Sequence, residues 1–191
     1  MGKIIDLLYK VVDKMNGTEP VIPKKEETLV EYCAKKKQLQ FDKSYLRMAR
    51  IWSNNSKAIK RKVGCLIVKD GMIISCGVNG MLPHQSNECE YLENNRNATR
   101  EELIEAYNKG EHLITKDEVI HAEMNSLLKC SRYSVSCEGA TLYCTTACCI
   151  NCAKHIIMAG IARFVYTDDY HSTDGLELLK RAGIEVVKIE I

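Results

Sequence analysis

Three side chains able to hold a metal and one carboxylate able to move a proton fall in two short segments. The first is Val119-Ile120-His121-Ala122-Glu123 and the second is Cys149-Ile150-Asn151-Cys152. A Cys-x-x-Cys at a helix start puts both sulfurs on one side of the first turn, where free N–H groups and the helix dipole favour thiolate. His121 offers a third ligand. Three protein ligands leave zinc a fourth position for water, the arrangement of a catalytic rather than a structural site. Glu123, two residues past His121, can face that water without ligating the metal. Zinc brings the pKa of such a water to about 7, and a carboxylate beside it can serve first as base and then as acid. A lone Cys-x-x-Cys is often redox-active or structural, and a lone His-Ala-Glu is uninformative; both at helix starts form a far more specific signal. Cys148 remains an alternative ligand, although three-residue spacing to Cys152 favours Cys149.

Elements of alternating type surround these segments. Ile4, Leu7, Leu8, Val11 and Val12 are spaced for a helix over 3–15, and Pro20 and Pro23 mark 18–25 as a linker. A second helix is expected from Glu26 to the Lys35-Lys36-Lys37 cluster, and a third from Asp42 to Trp52. The period then changes. Val63 to Lys69 and Met72 to Val78 are apolar, β-branched runs separated by Asp70-Gly71, a strong hairpin signal. From Asn79 to Glu118 the chain is polar and irregular, with one helix expected near Thr99 to Asn108. Helices are expected over 121–131, 149–159 and 174–182, alternating with strands over 140–145, 162–167 and 184–189. Gly160 and Gly183 stand where helix C-caps belong. Such alternation predicts an α/β domain over 41–191, its sheet covered on both faces, behind an extension over 1–40.

Composition narrows the function. The chain has 191 residues, 46% hydrophobic, enough for one sizeable core. Its 27 basic and 25 acidic residues leave a net charge of +2, which disfavours a nucleic-acid partner held through its phosphates. The Lys60-Arg61-Lys62 run reads as a solvated face, with a phosphate clamp as the alternative. Ten cysteines, several within apolar runs, together with a charged first segment predict a reducing, cytoplasmic setting. No apolar stretch is long enough for a membrane span.

A His-x-Glu with a downstream Pro-Cys-x-x-Cys marks zinc nucleobase deaminases. This chain matches it, with Cys148 at the proline position. Gly77-Val78-Asn79-Gly80, His121 to Asn125, Gly139 to Tyr143, Cys149 to Lys154 and Ala159-Gly160-Ile161 resemble the deoxycytidylate (dCMP) deaminases, the phage-type enzymes above all. The resemblance runs from Asp42 to the C-terminus. It implies a three-layer α/β/α cytidine-deaminase-like fold with a central mixed five-stranded sheet. It implies zinc as cofactor and conversion of dCMP to dUMP and ammonia for thymidylate synthesis. It further implies a homo-oligomer, hexamer or trimer, activated by dCTP and inhibited by dTTP. By position it makes His121, Cys149 and Cys152 the metal ligands and Glu123 the catalytic acid and base. Asn79, Ala122, Arg132 and Tyr170 fall at substrate-binding positions, and Gly77, Asn79 and Gly80 in the allosteric nucleotide loop. Val78 replaces an aromatic residue there. A second, structural zinc near His84, Cys89 and His112 is not expected, because 54–61 lacks the cysteine such a site uses. The competing readings are a deaminase of tRNA or single-stranded DNA, a free-cytidine deaminase, and a non-enzymatic zinc protein.

Overall fold

The computed structural model describes residues 28–191 together with Lys10, Val11 and Lys14, which are helical. The rest of the helix expected over 3–15, and the linker over 18–25, lie outside the described residues. By its internal contacts the chain divides into two units, 1–42 and 43–191.

Helix α1 runs unbroken over Leu29–Ser53, where two helices were expected. A capping box starts it: Thr28 Oγ1 accepts from Glu31 N at 3.2 Å, and the Glu31 carboxylate accepts from Thr28 N at 2.9 Å. The intervening Gln38-Leu39-Gln40-Phe41 contains no glycine or proline, so nothing interrupts the backbone ladder. Gln38 instead donates to Asp42 at 2.9 Å across one turn.

The second unit is built on a five-stranded sheet in the order β2-β1-β5-β6-β7. Strands β1 (Gly64–Lys69) and β2 (Met72–Val78) form the expected antiparallel hairpin. Asp70 and Gly71, with φ of 50° and 77°, give the left-handed turn that a two-residue loop requires. Strand β1 also pairs antiparallel with β5 (Thr141–Thr146). Strand β5 then pairs parallel with β6 (Arg163–Asp168), and β6 with β7 (Glu185–Lys188), so the sheet is mixed.

Side chains alternate across this sheet and build two cores. Leu66, Val68, Tyr143 and Val165 pack with Leu46 and Ala49 of α1 on one face. Cys65, Ile67, Leu142, Cys144 and Phe164 face the other way. There they meet α3 (Ala122–Arg132), α4 (Ile150–Met158) and α5 (Asp174–Arg181). The result is the three-layer α/β/α arrangement of the cytidine-deaminase-like fold.

Between β2 and α3 the polar insertion is more ordered than its sequence suggests. It contains β3 (Glu90–Leu92), α2 (Arg100–Asn108) and β4 (Leu113–Thr115). The two three-residue strands pair as an antiparallel ribbon. Leu103, Ala106 and Leu113 close a small core of their own, against which Ile59 and Leu92 pack.

Candidate active site

Three elements converge where the carboxyl end of β5 meets the starts of α3 and α4. That is where open α/β sheets commonly bind ligands. His121 is the N-cap residue of α3 and Cys149 that of α4. A paired bridge fixes the approach to His121: Gly80 N donates to Ile120 O at 3.1 Å, and Ile120 N returns a bond to Gly80 O at 2.9 Å. Asn125 Nδ2 holds the first turn of α3 to Val78 O at 2.8 Å. On the other side, Ala147 N donates to Asp168 O at 2.8 Å, which seats the turn before Cys149.

The His121, Cys149 and Cys152 ligand atoms all lie within 4.8 Å of one another, and no other such group occurs among the described residues. His121 Nδ1 is 3.5 Å from Cys149 Sγ and 3.4 Å from Cys152 Sγ. Tetrahedral zinc with ordinary Zn–S and Zn–N bonds would separate sulfur and nitrogen by about 3.5 Å, so the donor set fits zinc. The Cys149 thiol is pulled down to about 3, chiefly by the hydrogen bond from the Cys152 thiol, with His121 and the Cys152 N–H adding to it. Cys152 is pushed up in turn, because it supplies that proton and is buried. Glu123 is buried beside them, and desolvation pushes its carboxyl above the usual range while His121 pulls it back. Cys148 packs in the main core, fully buried, and its burial pushes its thiol up. It is not part of the metal-competent group.

A cavity of about 400 Å³ opens over this floor. His121, Ala122, Glu123 and Cys149 lie at its base, and Asn79 and Tyr170 also line it. Asn79 is already occupied: its Oδ1 accepts from Val63 N and Ser56 Oγ, both at 2.8 Å, and its Nδ2 donates to Arg61 O at 2.9 Å. One Nδ2 hydrogen stays available for a ligand. Tyr170 packs against His171 with ring centroids 3.9 Å apart. Gly77 and Gly80 do not line the cavity. Gly77 sits under α3 instead, where a Cβ would lie 2.2 Å from Ala122 O. Arg132 is exposed at the far end of the 11-residue α3, about 15 Å along the helix from His121.

Of the Lys60-Arg61-Lys62 run, Lys60 and Arg61 border the cavity, whereas Lys62 does not. Arg61 Nη1 donates to Asp169 O at 3.1 Å, next to Tyr170. Sequence reasoning missed other lining residues. Glu90, Tyr107 and Thr115 reach the cavity from the insertion. No local motif announces them, because only the folded ribbon and α2 bring them there. His84, Cys89 and His112 form no second metal-competent group.

The family model of the cytidine and deoxycytidylate deaminase zinc-binding region matches residues 39–168. The deoxycytidylate deaminase of Enterobacteria phage T4 is 33% identical over 168 residues, covering 75% of this chain and 87% of the phage protein. That of Saccharomyces cerevisiae is 32% identical over 147 residues; the match covers 76% of this chain but only 44% of the yeast protein. Among solved structures, the dCMP deaminase of cyanophage S-TIM5, crystallised with dCMP and dUMP, superposes with a TM-score of 0.66 at 32% identity. That match covers 78% of this chain and 97% of the phage chain. The chain therefore belongs to the cytidine and deoxycytidylate deaminase zinc-binding family.

Proposed function

We propose that the protein hydrolyses dCMP to dUMP and ammonia, supplying dUMP for thymidylate synthesis, with residues 41–191 as the catalytic domain. The observation that carries this reading is a single cavity lined by His121 and Cys149 of the metal-competent group, by the buried Glu123 carboxylate and by two cations. Its volume of about 400 Å³ suits a single nucleotide. Two phage relatives of known name, at 33% and 32% identity, are dCMP deaminases.

His121, Cys149 and Cys152 hold the zinc in this reading, and Cys148 serves as a core residue. Bound there, zinc supplies a Lewis acid that makes water nucleophilic near neutral pH. Glu123 takes the proton of the attacking water and delivers it to ring N3. It then carries a second proton to the amine leaving C4. A pKa raised by burial suits this double duty, since a proton shuttle works best near the working pH. The free N–H groups at the start of α3, Ala122 among them, orient the base. The open Nδ2 hydrogen of Asn79 reaches a sugar hydroxyl. Lys60, Arg61 and Tyr170 receive the 5′-phosphate, for which paired cations and a phenol are apt donors.

Control by dCTP and dTTP, and assembly as a hexamer or trimer, complete the reading. Both rest on the sequence resemblance, as do the roles of Arg132 and the Gly77-to-Gly80 loop. The test is release of ammonia from dCMP, deoxycytidine and a cytosine-containing single strand, each with and without dCTP and dTTP. The reading requires dCMP to have the highest kcat/KM. An oligonucleotide turned over while dCMP stays inert would overturn it.

A further inference from the structure

The segment 56–63 joins α1 to β1 with no helix or strand of its own, yet it carries Lys60 and Arg61 to the cavity. Asn79 holds it from one side through Ser56, Arg61 and Val63. The insertion holds it from the other. Glu90 accepts from two successive backbone N–H groups, Ile59 at 3.1 Å and Lys60 at 3.4 Å. Arg100 Nη2 donates to Lys57 O at 3.0 Å, and the Tyr107 hydroxyl donates to Lys60 O at 3.4 Å. Lys60 Nζ in turn donates to Thr115 Oγ1 at 3.4 Å, and Thr115 stands opposite Glu90 in the β3–β4 ribbon.

Glu90 is the centre of this grip. It is 3% exposed, and burying a carboxylate is costly unless hydrogen bonds repay its lost hydration. Both oxygens are used on adjacent peptide groups, which fixes two peptide planes at once and so sets where the Lys60 and Arg61 side chains leave the backbone. The carboxylate thus serves the loop, while the backbone of Glu90 serves the ribbon.

We propose that Glu90 is a positioning residue for phosphate recognition: it templates the 57–61 backbone so that Lys60 and Arg61 meet the substrate's 5′-phosphate. The insertion is then a specificity element, separate from the metal floor that performs the chemistry. This inference rests on the assignment of Lys60 and Arg61 to the phosphate.

The test measures kcat and KM for dCMP and deoxycytidine with the zinc-loaded full chain, its Glu90→Gln and Glu90→Asp variants, and Tyr107→Phe. Glu90→Gln sets an amide NH₂ against one of the two backbone donors. The expected result is a KM for dCMP raised about tenfold, the size of one lost charge-assisted hydrogen bond, with kcat within about twofold. Deoxycytidine kinetics stay unchanged, and Glu90→Asp restores part of the dCMP affinity. Tyr107 is partly exposed, so its phenylalanine variant folds even if a Glu90 variant does not; it gives the same pattern, about two- to threefold in size. Equal losses on both substrates, a fall in kcat alone, or no change in either Tyr107→Phe or Glu90→Gln overturns the proposal. Wild-type protein that does not favour dCMP over deoxycytidine overturns the phosphate assignment instead.

Discussion

Glu123 and the cysteines make opposite demands on substitution. Glu123 is buried close to His121 and the two cysteines without belonging to the group that could hold a metal. Glu123→Gln keeps its volume and removes its ability to carry a proton. Turnover of dCMP is expected to fall by about 10²- to 10⁴-fold, the usual worth of a positioned acid–base group. Zinc content, measured by elemental analysis of the purified protein, should stay at the wild-type level. The two neighbouring cysteines separate by the same measurement. Cys149→Ser should lose zinc and activity together, because a site with one thiolate fewer binds zinc far more weakly. Cys148→Ala should keep zinc and lose only stability, about 1 to 2 kcal/mol for a small buried side chain, read as a lower denaturation midpoint. Zinc lost on changing Cys148 and kept on changing Cys149 would exchange their roles.

At the scale of elements, the approach of β2 to α3 decides where His121 stands. A Cβ on Gly77 would lie 2.2 Å from Ala122 O and 2.7 Å from Ser126 N, both backbone atoms that cannot swing aside. Gly77→Ala is therefore expected to push the start of α3 off the sheet. The cost is about 1 to 3 kcal/mol of stability, and zinc affinity should drop although no ligand has changed. Competition with a chromophoric chelator reads that directly; unaltered affinity would mean that α3 tolerates the shift. Such close approaches are invisible in sequence, where Gly77 reads as part of a loop motif. What sequence does carry is local. The Asp70-Gly71 turn, the β-branched runs beside it and the glycines ending α4 and α5, with φ of 71° and 83°, stand where the pattern puts them. Helix α1 went unrecognised as one element because the lysine cluster suggests an end that no breaker residue enforces. Strands β3 and β4 escaped because three residues are too few for a period, and their pairing spans the whole of α2. The grouping of His121, Cys149 and Cys152 into one metal-competent cluster was legible because each residue caps or opens a helix that has its own signal. Glu90 was not, because it owes its place to contacts between distant segments. For Lys60 and Arg61 the charge run alone left a solvated face and a phosphate clamp both open.

At the scale of the whole molecule, a net charge of +2 supplies no broad positive field to collect anionic ligands. Any preference for a phosphate must then come from the few cations beside the cavity, and Lys60 and Arg61 are the two that line it. Both are exposed, so salt screens them efficiently; the Debye length is about 10 Å at 0.1 M and about 3 Å at 1 M. KM for dCMP should accordingly rise several-fold between 0.05 and 0.5 M salt, while KM for deoxycytidine stays level. Arg61→Ala should raise KM for dCMP at low salt by about tenfold and flatten that salt dependence, since a charge-assisted hydrogen bond is worth a factor of this order. The slope also tells a mononucleotide from a polymer. One phosphate met by two cations gives a shallow log–log dependence, below about one, whereas a strand held along several phosphates loses about 0.7 per contact and falls much more steeply. A shallow slope with dCMP, flatter still in Arg61→Ala, ties recognition to the mouth of this one cavity. A steep slope with an oligonucleotide of higher kcat/KM would mean that the substrate extends over the surface beyond it.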